Sequence, residues 1–213
     1  MGKPVQHPSL AHLLAHPLVA ILRGVRPEEV VAVGRILYNA GFRTIEVPLN
    51  SPSPLDSIAA LAGEFGTEVL VGAGTVMSAT QVDEVVAAGA GLILSPNRDL
   101  SVIRRSLHHQ ALSMPGVATP SEAFEALAAG AHTLKLFPAD VLGTASFKGW
   151  RAVLPPGTPM FGVGGIGVDN LASFRQAGAS GAGLGSSLYL PGMAADALEQ
   201  RAKALMAAWQ QAA

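Results

Sequence analysis

Strand-like and helix-like runs alternate along almost the whole of this chain. Val19–Gly24, Thr44–Leu49 and Glu68–Thr75 are short, largely apolar runs of the kind that form buried strands. The runs Leu92–Asn97, Ala111–Gly116, Thr133–Pro138, Pro159–Gly165 and Gly181–Ser186 repeat the pattern. The stretches between them read as helices: 27–40, opened by a proline suited to a first turn, then 55–65, 79–88 and 100–108. They continue with a helix from Ser121 ended by Gly130, a less clearly marked one over 147–153, one from Asp169 ended by Gly178, and an Ala-rich helix over 194–211. Residues 8–16 form a short leading helix before Pro17. Eight strand–helix units in 213 residues, with no internal linker, predict one α/β domain over 1–213. Its architecture is a closed (β/α)8 barrel of the TIM type rather than an open doubly wound sheet.

Composition narrows the class. Hydrophobic residues make up 49% and charged ones only 14%, against roughly 25% charged in ordinary soluble domains. That deficit implies thorough burial and a subunit interface hiding further surface. The net charge of −1, without a basic block, gives no footprint for nucleic acid or an anionic membrane. Cysteine is absent, which excludes disulfides, thiol catalysis and thiolate metal sites. No apolar run is long enough to span a bilayer. The start, with Pro4, His7, Pro8, His12, His16 and Pro17, lacks the basic opening and apolar middle of a signal peptide. A cytoplasmic enzyme is the expected class.

In a parallel barrel the chemistry sits where strands run out into helices. The polar residues at those ends are Arg23, Glu46, Asn50, Thr75, Ser95-Pro96-Asn97 and Lys135, joined by the glycine-rich ends of the last two strands. Lys135 lies between Leu134 and Leu136, and Glu46 between Ile45 and Val47, so each projects opposite its apolar neighbours. A desolvated lysine loses its proton readily and becomes a nucleophile toward carbonyl carbon. Glu46 is then a candidate acid/base partner; the plainer alternatives are a buried ion pair between the two, or a lysine that snorkels to water. Arg23 offers a fork for a carboxylate or a salt bridge to an acid. Thr75, behind Gly72 and Gly74, faces a ligand or caps the next helix. Gly164-Gly165 and Gly185-Ser186, with helix N-termini behind them, suit a phosphate group. Gly181–Gly185 lacks the spacing of a dinucleotide fingerprint. The six histidines are scattered and suggest no metal site.

These motifs stand in an order that resembles a known family. They are A-I-L-R-G (20–24), G-F-R-T-I-E-V-P-L-N-S-P (41–52), G-A-G-T-V (72–76), S-P-N (95–97), P-G-V-A-T-P-S-E (115–122), L-K-L-F-P-A (134–139), V-G-G-I (163–166) and G-L-G-S (183–186). From about Leu18 to Gly192 the chain is similar to the class I aldolases that cleave 2-keto-3-deoxy-6-phospho-sugar acids. The resemblance implies a (β/α)8 barrel, a homotrimer, a small phosphorylated keto-acid substrate, and no metal or organic cofactor. It implies that Lys135 forms the Schiff base and that Glu46 moves protons through water. Arg23 and Thr75 match positions that hold the pyruvyl carboxylate, and Gly164, Gly165, Gly185 and Ser186 match the phosphate-binding turns.

Two places bear on the branch. The phosphogluconate enzymes usually carry E-V-T-L-R after the second strand and Thr before the paired glycines of the seventh; this chain has Glu46-Val47-Pro48-Leu49-Asn50 and Val163. Both departures match the 2-keto-3-deoxy-6-phosphogalactonate branch, whose substrate differs only at C4. The rival readings are the same chemistry on phosphogluconate or 4-hydroxy-2-oxoglutarate, a sugar-phosphate isomerase or epimerase, and a non-catalytic sugar-phosphate-binding barrel. Of the other lysines, Lys3 is terminal, Lys148 lies beside Gly149-Trp150, and Lys203 is on the last helix.

Overall fold

The computed structural model describes residues 7–212; Lys3 and Pro4 lie outside the described residues. A short helix α1 (Pro8–Ala15) leads into strands β1 (Leu18–Ile21), β2 (Thr44–Pro48), β3 (Leu70–Gly74) and β4 (Leu92–Leu94). The next strand is interrupted: β5 (Leu112–Met114) and β6 (Gly116–Val117) flank Pro115, and β7 (Leu134–Leu136), β8 (Met160–Val163) and β9 (Gly181–Leu184) complete the sheet. Helices α2 (Pro27–Asn39), α3 (Pro54–Phe65), α4 (Ala79–Ala87), α5 (Leu100–His108), α6 (Pro120–Ala128), α7 (Ala139–Val153), α8 (Leu171–Gln176) and α9 (Ala195–Gln211) alternate with them.

The pairing order is β5-β4-β3-β2-β1-β9-β8-β7-β6, all parallel. Because β5 and β6 are two halves of one strand, the two ends of that order meet, giving a nearly closed TIM-like barrel. Pro115 has no N–H to donate, so the ladder breaks there. Its carbonyl still accepts from Lys135 N–H at 2.9 Å, and Ser113 C=O accepts from His132 and Thr133 N–H.

Alternation along the strands sorts the side chains into two packed layers. Leu18, Ala20, Ile45, Val47, Val71, Ala73, Leu134 and Leu136 face the helices. Leu13, Val19, Leu92, Leu94, Leu112, Met114 and Phe161 fill the barrel, with Leu10 and Leu70 packed against them. Leu13 belongs to α1, so the leading helix plugs the end where strands begin. His12 Nε2 bonds Arg43 C=O at 2.9 Å and His7 Nε2 bonds Gln110 C=O at 2.9 Å, tying α1 to the barrel's lower rim.

The strands end earlier than their sequence runs suggest. β1 stops at Ile21, β4 at Leu94, β8 at Val163 and β9 at Leu184. The polar and glycine residues beyond these points leave the ladder and form the mouth. The region after β7 also differs. Helix begins at Ala139, eight residues before the expected Phe147, and is interrupted at Gly143 (φ 68°, ψ 171°). That break removes the regular spacing that marks a helix in sequence. Among the described residues, no helix is long and apolar enough to cross a membrane.

Candidate active site

Lys135 is the middle residue of β7, beside Gly116 of β6 and Phe161 of β8 in register. Its flanking leucines pack toward the helices, so its side chain enters the barrel, where it is 7% exposed. Its Nζ stands 4.8 Å from the centre of the Phe137 ring. Burial holds the Lys135 amine below the ordinary lysine range; the positive charge of Arg23 pushes the same way, and Glu46 opposes both.

Glu46 occupies the matching place on β2, in register with Ile21 of β1 and Gly72 of β3. It is 2% exposed, and its Oε2 has no hydrogen-bond partner among the described residues. Burial pushes its carboxyl above the ordinary range, and the charges of Lys135 and Arg23 pull part of the way back. The carboxyl fits because Gly74 lacks a side chain: a Cβ there would stand 1.7 Å from Glu46 Oε2. The two residues thus place an amine and a carboxyl in one buried interior, where burial biases each toward its neutral state. No direct ion pair joins them among the described residues, although each feels the other's charge.

Arg23 lies two residues past β1 and is exposed. Its Nη1 donates to Asn50 Oδ1 at 2.6 Å, not to an acid, and Ser51 Oγ accepts from Gly24 N–H at 2.9 Å. These two bonds strap the ends of β1 and β2 together. Thr75 directly follows β3 with φ of 59°, a left-handed conformation that is costly for a β-branched residue. Ser78, not Thr75, caps α4 by accepting from Gln81 N–H. The strain at Thr75 therefore has no capping role to explain it.

Beside this pair opens a cleft of about 710 Å³. It gathers Arg23, Val163, Gly164, Gly165, Gly185 and Ser186 in one wall. Lys135, Glu46 and Thr75 are not in that wall; Phe137, two residues beyond Lys135, is. The expected helix N-termini behind the two glycine turns are largely missing. Only the six-residue α8 follows the first, beginning at Leu171, and α9 begins at Ala195, well after Ser186. The polar groups these turns offer the cleft are therefore backbone N–H groups rather than helix N-termini. Gly164 (φ 101°) and Gly165 (φ 63°) both need the backbone freedom of glycine. Asn170 and Tyr189 also line the cleft and were not singled out from the sequence, since only the fold brings them to this wall. Tyr189 is pushed up to about 12 by burial and by Glu29, to which its hydroxyl donates at 3.3 Å, so it serves as a neutral wall. Among the described residues, no group of three His, Asp or Glu side chains is placed to hold a metal ion.

Comparison with known proteins gives one consistent result. The family described as KDPG and KHG aldolase matches residues 11–202. A 2-dehydro-3-deoxy-6-phosphogalactonate aldolase of Escherichia coli (strain K12) is 44% identical over 196 residues, covering 92% of this chain and 96% of its own. A solved structure described as native KDPGal superposes with a TM-score of 0.90 at 44% identity, covering 92% of this chain and 95% of that one. A KDPG aldolase from Legionella pneumophila, with pyruvate captured at low pH as a covalent carbinolamine intermediate, superposes with a TM-score of 0.81. Its identity is 26%, and the match covers 92% of this chain and 96% of its own.

Proposed function

The chain belongs to the KDPG and KHG aldolase family, and from that premise we propose that it cleaves 2-dehydro-3-deoxy-6-phospho-D-galactonate to pyruvate and D-glyceraldehyde 3-phosphate through a Schiff base on Lys135. The observation that carries the reading is the buried Lys135 amine, held below its ordinary range in the same interior as buried Glu46. Neutral Lys135 attacks the C2 ketone and forms a carbinolamine; loss of water gives an iminium. Removal of the C4 hydroxyl proton lets the C3–C4 bond break, the electron pair moving into the iminium to leave an enamine. Glyceraldehyde 3-phosphate departs, C3 takes a proton, and hydrolysis frees pyruvate and the amine. Glu46, whose carboxyl burial pushes above its ordinary range, is suited to give and take these protons. The carbinolamine captured in the Legionella relative supports the first step.

Arg23, held by Asn50, and Thr75 are assigned to the pyruvyl carboxylate, and Gly164, Gly165, Gly185 and Ser186 to the phosphate. Val163, buried at the end of β8 and lining the cleft, is assigned to the C4 substituent: it offers no hydrogen bond, so it favours the epimer whose hydroxyl points elsewhere. The 44% identity to a phosphogalactonate aldolase supports that choice over the gluco epimer. The same reading carries a cytoplasmic homotrimer, supported by the low charge content and by exposed apolar residues such as Phe124 and Val141.

Borohydride reduction in the presence of pyruvate tests the chemistry. The expected product is a covalent adduct on Lys135 that is absent from Lys135→Ala; unmodified wild-type protein would refute the Schiff-base mechanism. Lys148 and Lys203 are both exposed and are not expected to compete. Comparing kcat/KM on the two C4 epimers tests the substrate, and a clear gluco preference would overturn the galactonate assignment.

A further inference from the structure

We propose that Asn170 is a positioning residue for the phosphate, holding the turn after β8 in the shape that leaves two backbone donors free, and so sets the preference for phosphorylated over unphosphorylated substrate. This inference rests on the phosphate site proposed above. Asn170 is the N-cap residue of α8, a position where asparagine normally accepts from the first helical N–H groups. Here its side chain makes no such bond. Instead it reaches back over the turn: Oδ1 accepts from Gly167 N–H at 2.9 Å and Nδ2 donates to Gly165 C=O at 2.8 Å. Capping therefore does not account for its placement.

The consequence follows from peptide planarity. In a trans peptide the C=O and the next residue's N–H point in opposite directions. Asn170 fixes the Gly165 carbonyl, so it fixes the direction of Ile166 N–H. The Gly164 carbonyl accepts from Asp140 N–H at 3.2 Å, which fixes Gly165 N–H in the same way. Neither Gly165 N–H nor Ile166 N–H has an acceptor among the described residues, while both residues line the cleft with Asn170, Gly185 and Ser186. Successive free N–H groups in a turn form an anion-binding concavity. The turn could not hold this shape on its own, because two consecutive glycines with positive φ have many alternatives.

The experiment compares wild type, Asn170→Ala and Asn170→Asp in the condensation of pyruvate with glyceraldehyde 3-phosphate and with glyceraldehyde. Thermal unfolding of each variant checks folding. For Asn170→Ala the expected loss in kcat/KM with the phosphorylated aldehyde is at least about tenfold, expressed mainly in KM, from two lost hydrogen bonds and a loosened turn. The loss with glyceraldehyde should be at least roughly fivefold smaller. Asn170→Asp separates positioning from simple satisfaction of the backbone. It still accepts from Gly167 N–H but cannot donate to Gly165 C=O, and it adds negative charge. It should therefore be worse than Asn170→Ala with the phosphorylated aldehyde. Equal losses on both aldehydes, or an aspartate variant milder than the alanine one, would overturn the inference alone. A wild-type enzyme indifferent to the phosphate would overturn the phosphate site itself, and this role with it.

Discussion

At the residue scale, the site depends on small side chains as much as on reactive ones. Glu46 and Lys135 were legible in the sequence because an ionisable residue between apolar neighbours on a strand has only one face to occupy. The dependence of Glu46 on Gly74 was not legible, since it arises from the pairing of β2 with β3 rather than from either run. Gly74→Ala should displace the carboxyl, because its Cβ would fall within bonding range of Oε2. A shift of this size costs on the order of a hundredfold in turnover, read as kcat on the cleavage reaction; near-normal kcat would show that Glu46 needs no fixed place. The amine is also coupled to the carboxyl. As pH falls through the lowered Lys135 value, the amine gains a proton and adduct formation slows, at a pH below the ordinary lysine range of about 10.4. Glu46 pulls that value upward, so in Glu46→Gln the midpoint for pyruvate adduct formation should move to lower pH. Turnover should meanwhile fall by roughly 10²–10⁴-fold. A midpoint that rises in the glutamine variant would contradict the coupling.

At the element scale, the alternation of strands and helices was visible almost throughout, and its failures have local causes. Pro115 splits one strand in two because it cannot donate to the ladder, although the strand-like run Ala111–Gly116 continues across it. Gly143 hides the start of α7 by breaking its spacing. The role of α1 was undecidable from its own residues, since a leading helix with one apolar side could pack anywhere. In the fold, Leu13 is fully buried against Val19, Leu92, Leu112 and Phe161 inside the barrel. Leu13→Ala should therefore cost about 2–5 kcal/mol, as large-to-small changes in packed interiors do, measured as a lowered urea midpoint. A cost below about 0.5 kcal/mol, the level of an ordinary surface change, would mean that α1 does not plug the barrel.

Over the whole molecule, packing and chemistry occupy opposite ends of the same strands. On β3, Leu70 packs against the lower plug, while Thr75 stands just past the other end. Thr75 lies five residue steps beyond Leu70, roughly 16 Å by strand rise. Thr75 stores strain in its left-handed backbone, of order 1–3 kcal/mol. Thr75→Gly relieves that strain, offset by about 0.5–1 kcal/mol of extra freedom in the unfolded chain. The expected result is a net stabilisation near 1 kcal/mol together with a higher KM for pyruvate, because the hydroxyl assigned to its carboxylate is gone. Sites so far apart with no shared partner contribute independently, so the change in stability of Leu13→Ala/Thr75→Gly should equal the sum of the single changes within about 0.5 kcal/mol. Denaturant unfolding of the four proteins measures the cycle. A larger coupling would mean that the plug strains the mouth through the strands, and that α1 takes part in setting the geometry at Thr75. Additivity, with the KM effect confined to the Thr75 variants, would show the barrel acting as a rigid spacer between an end that stabilises and an end that reacts.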